Sequence, residues 1–210
     1  MLFYDRQIND ARIAVWHVTE DYEQLLSMLP DGESVRAEAE SRFRSQSRLI
    51  EWVAVRVLLY NMLNRQVAIE YLESGAPLLP DDEALSISIS HTHGYVAILL
   101  SEDAKAGIDV EVVERKDNGA LSRIEKVRQR FMREDEYADS IVGMLLHWSA
   151  KETAYKYMQR PDVDFLRDLR VEPFDEMEME GNLTLTDLHE DISHLLYYKV
   201  FEDFVLTYEI

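Results

Sequence analysis

The chain has no cysteine. Disulfides, thiolate metal sites and cysteine nucleophiles are excluded together. It also lacks any apolar run near the ~20 residues needed to cross a bilayer, so no membrane role is expected. The opening Met1-Leu2-Phe3-Tyr4-Asp5-Arg6 offers no basic n-region, apolar h-region or cleavage site, and a cytoplasmic protein is expected. Positive charge is scarce: 22 Lys and Arg stand against 41 Asp and Glu, a net charge of −19 over 210 residues. Nucleic acid, whose phosphates require Lys and Arg, is a poor partner for such a chain.

What is present is an ordinary globular composition, 47% hydrophobic and 30% charged, with length for one large domain or two small ones. The charge is uneven. From Asp162 to Ile210 fourteen acidic residues face three basic ones, a balance of −11. Two stretches are locally basic: Arg36, Arg42, Arg44 and Arg48, and Arg115, Lys116, Arg123, Lys126, Arg128, Arg130 and Arg133. Most of these read as solvated helix faces, although a local field rather than the total decides what binds in a cleft.

Arg12 to Thr19 alternates and is β-branched, which predicts a strand. A short helix follows over Asp21 to Leu29, with Asp21 as N-cap and Pro30-Asp31-Gly32 as its stop. Ser34 to Leu63 is helical material, with Leu49, Trp52, Val53, Val57, Leu58 and Leu63 at helical spacing. Val67–Leu72, Leu85–Ser90, Tyr95–Ser101 and Gly107–Val113 read as strands. Helices are predicted over about Ala120 to Arg130 and Ile141 to Met158. Leu169–Pro173, Asn182–Leu188, Leu195–Phe201 and Phe204–Ile210 complete the strands. Helices followed by strands in each half indicate an α+β fold, with a division near Asp103-Ala104-Lys105 into residues 1–103 and 104–210.

Three segments carry chemistry. In Gly107-Ile108-Asp109-Val110-Glu111, a strand places Asp109 and Glu111 on one face and Ile108 and Val110 on the other, towards a core. The acids are either solvated at a strand edge or share a hard cation such as Mg²⁺. In Trp148-Ser149-Ala150-Lys151-Glu152-Thr153-Ala154-Tyr155-Lys156, a helix makes Glu152 and Lys156 an i,i+4 pair. That pair is either a surface salt bridge or a third metal ligand beside a phosphate clamp, with Lys151 as a second cation. In Ser88-Ile89-Ser90-His91-Thr92-His93-Gly94, a strand end presents Ser90 and His91, either as part of a plain hairpin turn or as phosphate donors.

Taken in order, these segments resemble the 4′-phosphopantetheinyl transferase superfamily, in its longer, Sfp-type branch. Ser90-His91, then Gly107-Ile108-Asp109-Val110-Glu111, then Trp148-Ser149-Ala150-Lys151-Glu152 with Lys156 follow that family's pattern. Fainter matches lie in Arg48-Leu49-Ile50-Glu51-Trp52-Val53-Ala54-Val55-Arg56, and in Arg130-Phe131 with Glu136-Tyr137. The matches span about Arg44 to Lys156. Gly75-Ala76-Pro77 departs from the family's usual Gly-Lys-Pro and lacks its cation, and Ser88 stands where Asn is common.

The resemblance implies two similar α+β halves with the active site between them, in a monomer. It implies transfer of phosphopantetheine from coenzyme A to a serine of an apo acyl or peptidyl carrier protein, releasing adenosine 3′,5′-bisphosphate. By the same resemblance Asp109, Glu111 and Glu152 hold Mg²⁺, and Lys156 and Lys151 neutralise phosphate. His91, Ser90 and Arg48 anchor coenzyme A, and Glu152 or a metal-bound water takes the serine proton. Two other readings use the same residues: a metal-dependent phosphohydrolase, and a degenerate member of the family that binds a partner without turnover.

Overall fold

Residues 1–82, 84–103, 105–114 and 122–210 are described by a computed structural model. Ala104 of the expected division, Arg115 and Lys116 of the second basic stretch, and the first residues of the helix expected from Ala120 lie outside the described residues. Two compact units divide the chain, Met1–Ala104 and Lys105–Ile210.

In the first unit, strands β1 (Leu2–Ile8) and β2 (Ala11–His17) form a hairpin turned at Asn9, whose φ of 49° is in the left-handed region that Asn tolerates. Helix α1 (Tyr22–Ser27) begins at Asp21. The Asp21 side chain accepts the Gln24 N–H, and Gln24 answers on the Asp21 N–H, so two orphan donors are satisfied. The helical stretch predicted from Ser34 is two helices, α2 (Gly32–Arg42) and α3 (Gln46–Leu63), because Phe43 turns extended between them. The strand predicted at Val67–Leu72 shrinks to β3 (Glu70–Tyr71), paired with β4 (Pro77–Leu78). Strands β5 (Ser86–Thr92) and β6 (Tyr95–Ser101) complete a sheet of order β1-β2-β6-β5. Trp52, Val53, Val57 and Leu58 of α3 share the unit's core with Ala14, Trp16, Ile87, Val96, Ile98 and Leu100 from the sheet.

The second unit opens with β7 (Gly107–Val112), α4 (Arg123–Val127) and a single 3₁₀ turn over Arg128–Arg130. Helix α5 (Ile141–Met158) follows, then β8 (Leu169–Val171), β9 (Glu180–Asp187), β10 (Ile192–Val200) and β11 (Phe204–Glu209). The five strands form an antiparallel sheet of order β7-β11-β10-β9-β8. The core lies under α5, where Leu146, Ala150 and Ala154 meet Leu185, Leu196 and Val205. The fold is thus α+β.

Both faces of β7 are covered. Ile108 and Val110 are buried on one face, and α5 lies against the other. The approach of α5 is close. A Cβ at Gly107 would stand 2.4 Å from the Thr153 carbonyl oxygen and 3.0 Å from the Tyr157 Cβ. Small hydroxyl residues fill the seam: Ser149 and Thr153 both hydrogen-bond the Thr207 hydroxyl of β11. At its other end α5 is capped by Ser140, which accepts the Gly143 N–H and donates to Glu176. The obstacle at Gly107 is backbone, which cannot step aside as the end of a side chain can. Gly107→Ala should therefore lower stability by about 1–3 kcal/mol, read from urea unfolding. An unchanged midpoint would contradict the close packing.

Candidate functional site

The register of the second unit sets the site. Gly107, Asp109 and Glu111 recur every second residue, so they share the α5 face of β7. Because Gly107 lets the helix in, the side chains that follow it meet α5 directly. The Lys156 ammonium donates to Asp109 Oδ1 at 2.7 Å and to the Ile108 carbonyl at 2.9 Å. The Asp109 carboxylate is almost fully buried, whereas Lys156 keeps a quarter of its side chain in solvent. Two turns towards the helix N-terminus, the Trp148 indole Nε1 donates to Glu111 Oε1 at 2.8 Å.

Negative charge is crowded here. Burial pushes the Glu111 carboxyl up to about 7, and the charges of Asp109 and Glu152 add to the rise while the Trp148 bond and Lys156 oppose it. Glu152 is pushed up to about 7 as well, by burial and then by Asp109, with Lys156 opposing. Three carboxylates thus feel one another around one lysine. Among the described residues no three His, Asp or Glu side chains are drawn together into a preformed metal-ligand set. The donor chemistry nevertheless fits a hard divalent cation: the oxygens belong to carboxylates whose crowding a cation would relieve.

Lys151 departs from expectation. Its side chain is fully buried, and its ammonium donates to the Phe131 carbonyl at 2.7 Å, the Phe165 carbonyl at 3.0 Å and Glu136 Oε2 at 2.8 Å. Those three bonds use its whole donor capacity, so no hydrogen remains for a phosphate. Glu136 is equally bound, accepting the backbone N–H groups of Arg133 and Val171. Spacing could not separate Lys151 from Lys156, since both lie near Glu152 on the helix. What separates them is which side of α5 the sheet and the 131–136 segment cover. Trp148, Gly107 and Glu136 gain roles that their place in the motifs did not specify.

The other expected residues lie in the first unit. Ile87, Ile89 and His91 share one face of β5, and the two isoleucines pack in the core that α3 covers. His91 carries that face to the start of α3, where His91 Nδ1 lies 3.8 Å from Glu51 Oε2 and Arg48 lies 3.4 Å from the same oxygen. Both side chains keep large exposed areas, whereas Ser90 is buried within the sheet. Ser45, the N-cap of α3, makes no side-chain cap bond, so the first-turn N–H groups add positive potential beside Arg48. Arg56, further along α3, is a structural cation: it lies 3.0 Å over the Trp52 ring and donates to the Trp52 carbonyl.

The model of the 4′-phosphopantetheinyl transferase superfamily matches residues 105–209, half of the chain and nearly all of the second unit. The chain belongs to that superfamily. It is similar to a 4′-phosphopantetheinyl transferase AcpT of Salmonella typhimurium, 35% identical over 71 residues. That match covers 34% of this chain and 37% of the relative. An AcpT of Escherichia coli K12 is 34% identical over 67 residues, covering 32% and 34% of the two chains. The matched stretch spans about a third of the length of these relatives.

The crowding has a measurable consequence. Glu111 and Glu152 titrate near the ordinary value of 4.5 in the unfolded chain and near about 7 in the folded, metal-free chain. Between those values the folded state holds more protons than the unfolded one. The contribution is therefore favourable below the lower value and is lost as pH rises through the upper. The wild type should accordingly lose stability towards urea across this window, and Glu111→Gln combined with Glu152→Gln should flatten that slope. Coincident slopes would contradict the mutual repulsion.

Proposed function

We propose that this chain is a magnesium-dependent enzyme, acting as a cytoplasmic monomer, that transfers the 4′-phosphopantetheine arm of coenzyme A to a serine of an apo acyl or peptidyl carrier protein. The observation that carries the reading is the group Asp109, Glu111, Glu152 and Lys156, held at the α5–β7 contact of a chain that belongs to the transferase superfamily.

In the reaction the carrier serine oxygen bonds to the phosphorus that carries the pantetheine. The bond from that phosphorus to the bridging oxygen breaks, and adenosine 3′,5′-bisphosphate leaves with the electron pair. Such a transfer needs positioning and charge neutralisation more than covalent help from the protein. Asp109, Glu111 and Glu152 would hold the magnesium ion. When bound, the ion neutralises pyrophosphate charge and orients the group. Lys156 has the right exposure for a phosphate clamp, since its ammonium is anchored on Asp109 and the Ile108 carbonyl while part of the side chain stays in water. The serine proton needs an acceptor, and the Glu152 carboxylate is one this chain supplies.

His91 and Arg48 are the proposed anchors for a phosphate of coenzyme A. Both are exposed at the uncapped start of α3. Glu51 sits beside them and sets their rest position, so a phosphate would compete with that carboxylate. Lys151 has no place in this scheme beyond structure. The family's usual cation is absent at Ala76, which leaves His91 and Arg48 a larger share of the phosphate charge.

The test is direct. The purified chain, coenzyme A and Mg²⁺ are mixed with several apo carrier proteins, and the intact masses of the carriers are measured. A gain of one phosphopantetheine that EDTA abolishes is expected. Asp109→Ala should remove the gain by at least about a hundredfold while leaving the circular dichroism of the fold intact. Full activity in Asp109→Ala would remove the metal assignment. Phosphate release without a carrier would favour a hydrolase instead.

A further inference from the structure

We infer that Trp148 is a positioning residue for Glu111, held in place by the buried Lys151, and that through it the indole N–H governs magnesium affinity. The inference rests on the magnesium reading proposed above.

A glutamate near the end of a strand has three rotatable bonds, and holding it in one orientation costs side-chain entropy. A hydrogen bond to one carboxylate oxygen fixes the plane of the group, and partners of this kind orient metal ligands generally. Trp148 supplies that bond at 2.8 Å. An indole nitrogen only donates, so it can serve an acceptor such as this carboxylate and nothing else.

A positioning group must itself be fixed, and two rings fix this one. Phe131 stands edge-on to the indole at 5.3 Å between centroids, and Phe165 is tilted against it at 5.6 Å. The backbone carbonyls of these same two phenylalanines accept hydrogen bonds from the Lys151 ammonium. Lys151 therefore ties both walls of the indole slot to α5, three residues from Trp148 and beside Glu152. Its third bond, to Glu136, ties in the 131–136 segment as well. A chain of contacts thus runs from a fully buried ammonium, through two carbonyls and two rings, to the donor on Glu111. On this account the lysine next to Glu152 acts on the site without touching substrate.

Trp148→Phe keeps an aromatic ring in the slot and removes the donor. Magnesium binding is measured by calorimetry on the full chain without coenzyme A or carrier, alongside circular dichroism and thermal unfolding. The expected result is a folded variant whose magnesium affinity falls about tenfold. Phe165→Leu loosens the slot while keeping the donor, and it should lower the melting temperature with a smaller loss of affinity. Equal affinity losses in the two variants would mean general loosening and would overturn the role of the hydrogen bond. Wild-type affinity in Trp148→Phe, with Asp109→Ala still defective, would overturn this inference and leave the metal reading standing. A wild type that binds no magnesium would overturn both. Should Trp148→Phe fail to fold, terbium on the wild type takes its place. Tryptophan-sensitised emission that magnesium displaces supports the contact, and bound terbium without such emission overturns it.

Discussion

The closeness of α5 to β7 is the constraint on which the rest depends. A helix can settle on a strand this tightly only where the strand offers no side chain, and Gly107 provides that place opposite the Thr153 carbonyl. Ser149, Thr153 and Thr207 keep the seam thin and satisfy one another's hydroxyls. Once the helix is down, the two-residue period of the strand and the helical turn bring Asp109 to Lys156 and Glu111 to Trp148. The glycine two residues before the first carboxylate is thus part of the site's geometry, although it carries no chemistry.

Charge is the second theme. The chain is strongly acidic, and the crowding at Asp109, Glu111 and Glu152 is that acidity concentrated at one place. A buried acidic group of this kind is unfavourable until a cation joins it, which is why it reads as a site and not as surplus. The two lysines of the motif divide the work. Lys156 keeps a quarter of its side chain in water beside the carboxylates, and Lys151 is buried in a pair with Glu136 that holds the neighbouring segments. Removing one partner of such a buried pair is far more costly than removing an exposed one, typically about 3–5 kcal/mol. Selection for folding alone would keep Lys151.

Much of this was legible in the sequence. The periodicity of Ile141–Met158, and the Pro161 stop beyond it, locate α5, and Tyr95–Ser101 emerges as β6 because its run is apolar and bounded by turn residues. Other elements depend on contacts that a local pattern does not contain. The edge strand β1 is mostly exposed and mixes Asp5 and Arg6 with Leu2 and Phe3, so it has no alternation to read; pairing with β2 makes it a strand. The break between α2 and α3 has no Gly or Pro to announce it. In the site, the family resemblance assigned roles to the carboxylates and Lys156, where residue types and spacing had left solvated alternatives open. Spacing could not say which side of α5 the sheet would cover, and that side decided between the two lysines and brought Trp148 to Glu111.

The central claim is that the carboxylates at the α5–β7 contact hold a metal through which this chain engages coenzyme A. Calorimetric titration of the purified chain with coenzyme A, with and without Mg²⁺, tests it most directly. The account predicts one coenzyme A bound per chain, with an affinity that falls by about tenfold or more when Mg²⁺ is removed. Equal affinity with and without the metal, or no binding by a folded chain in its presence, would contradict it.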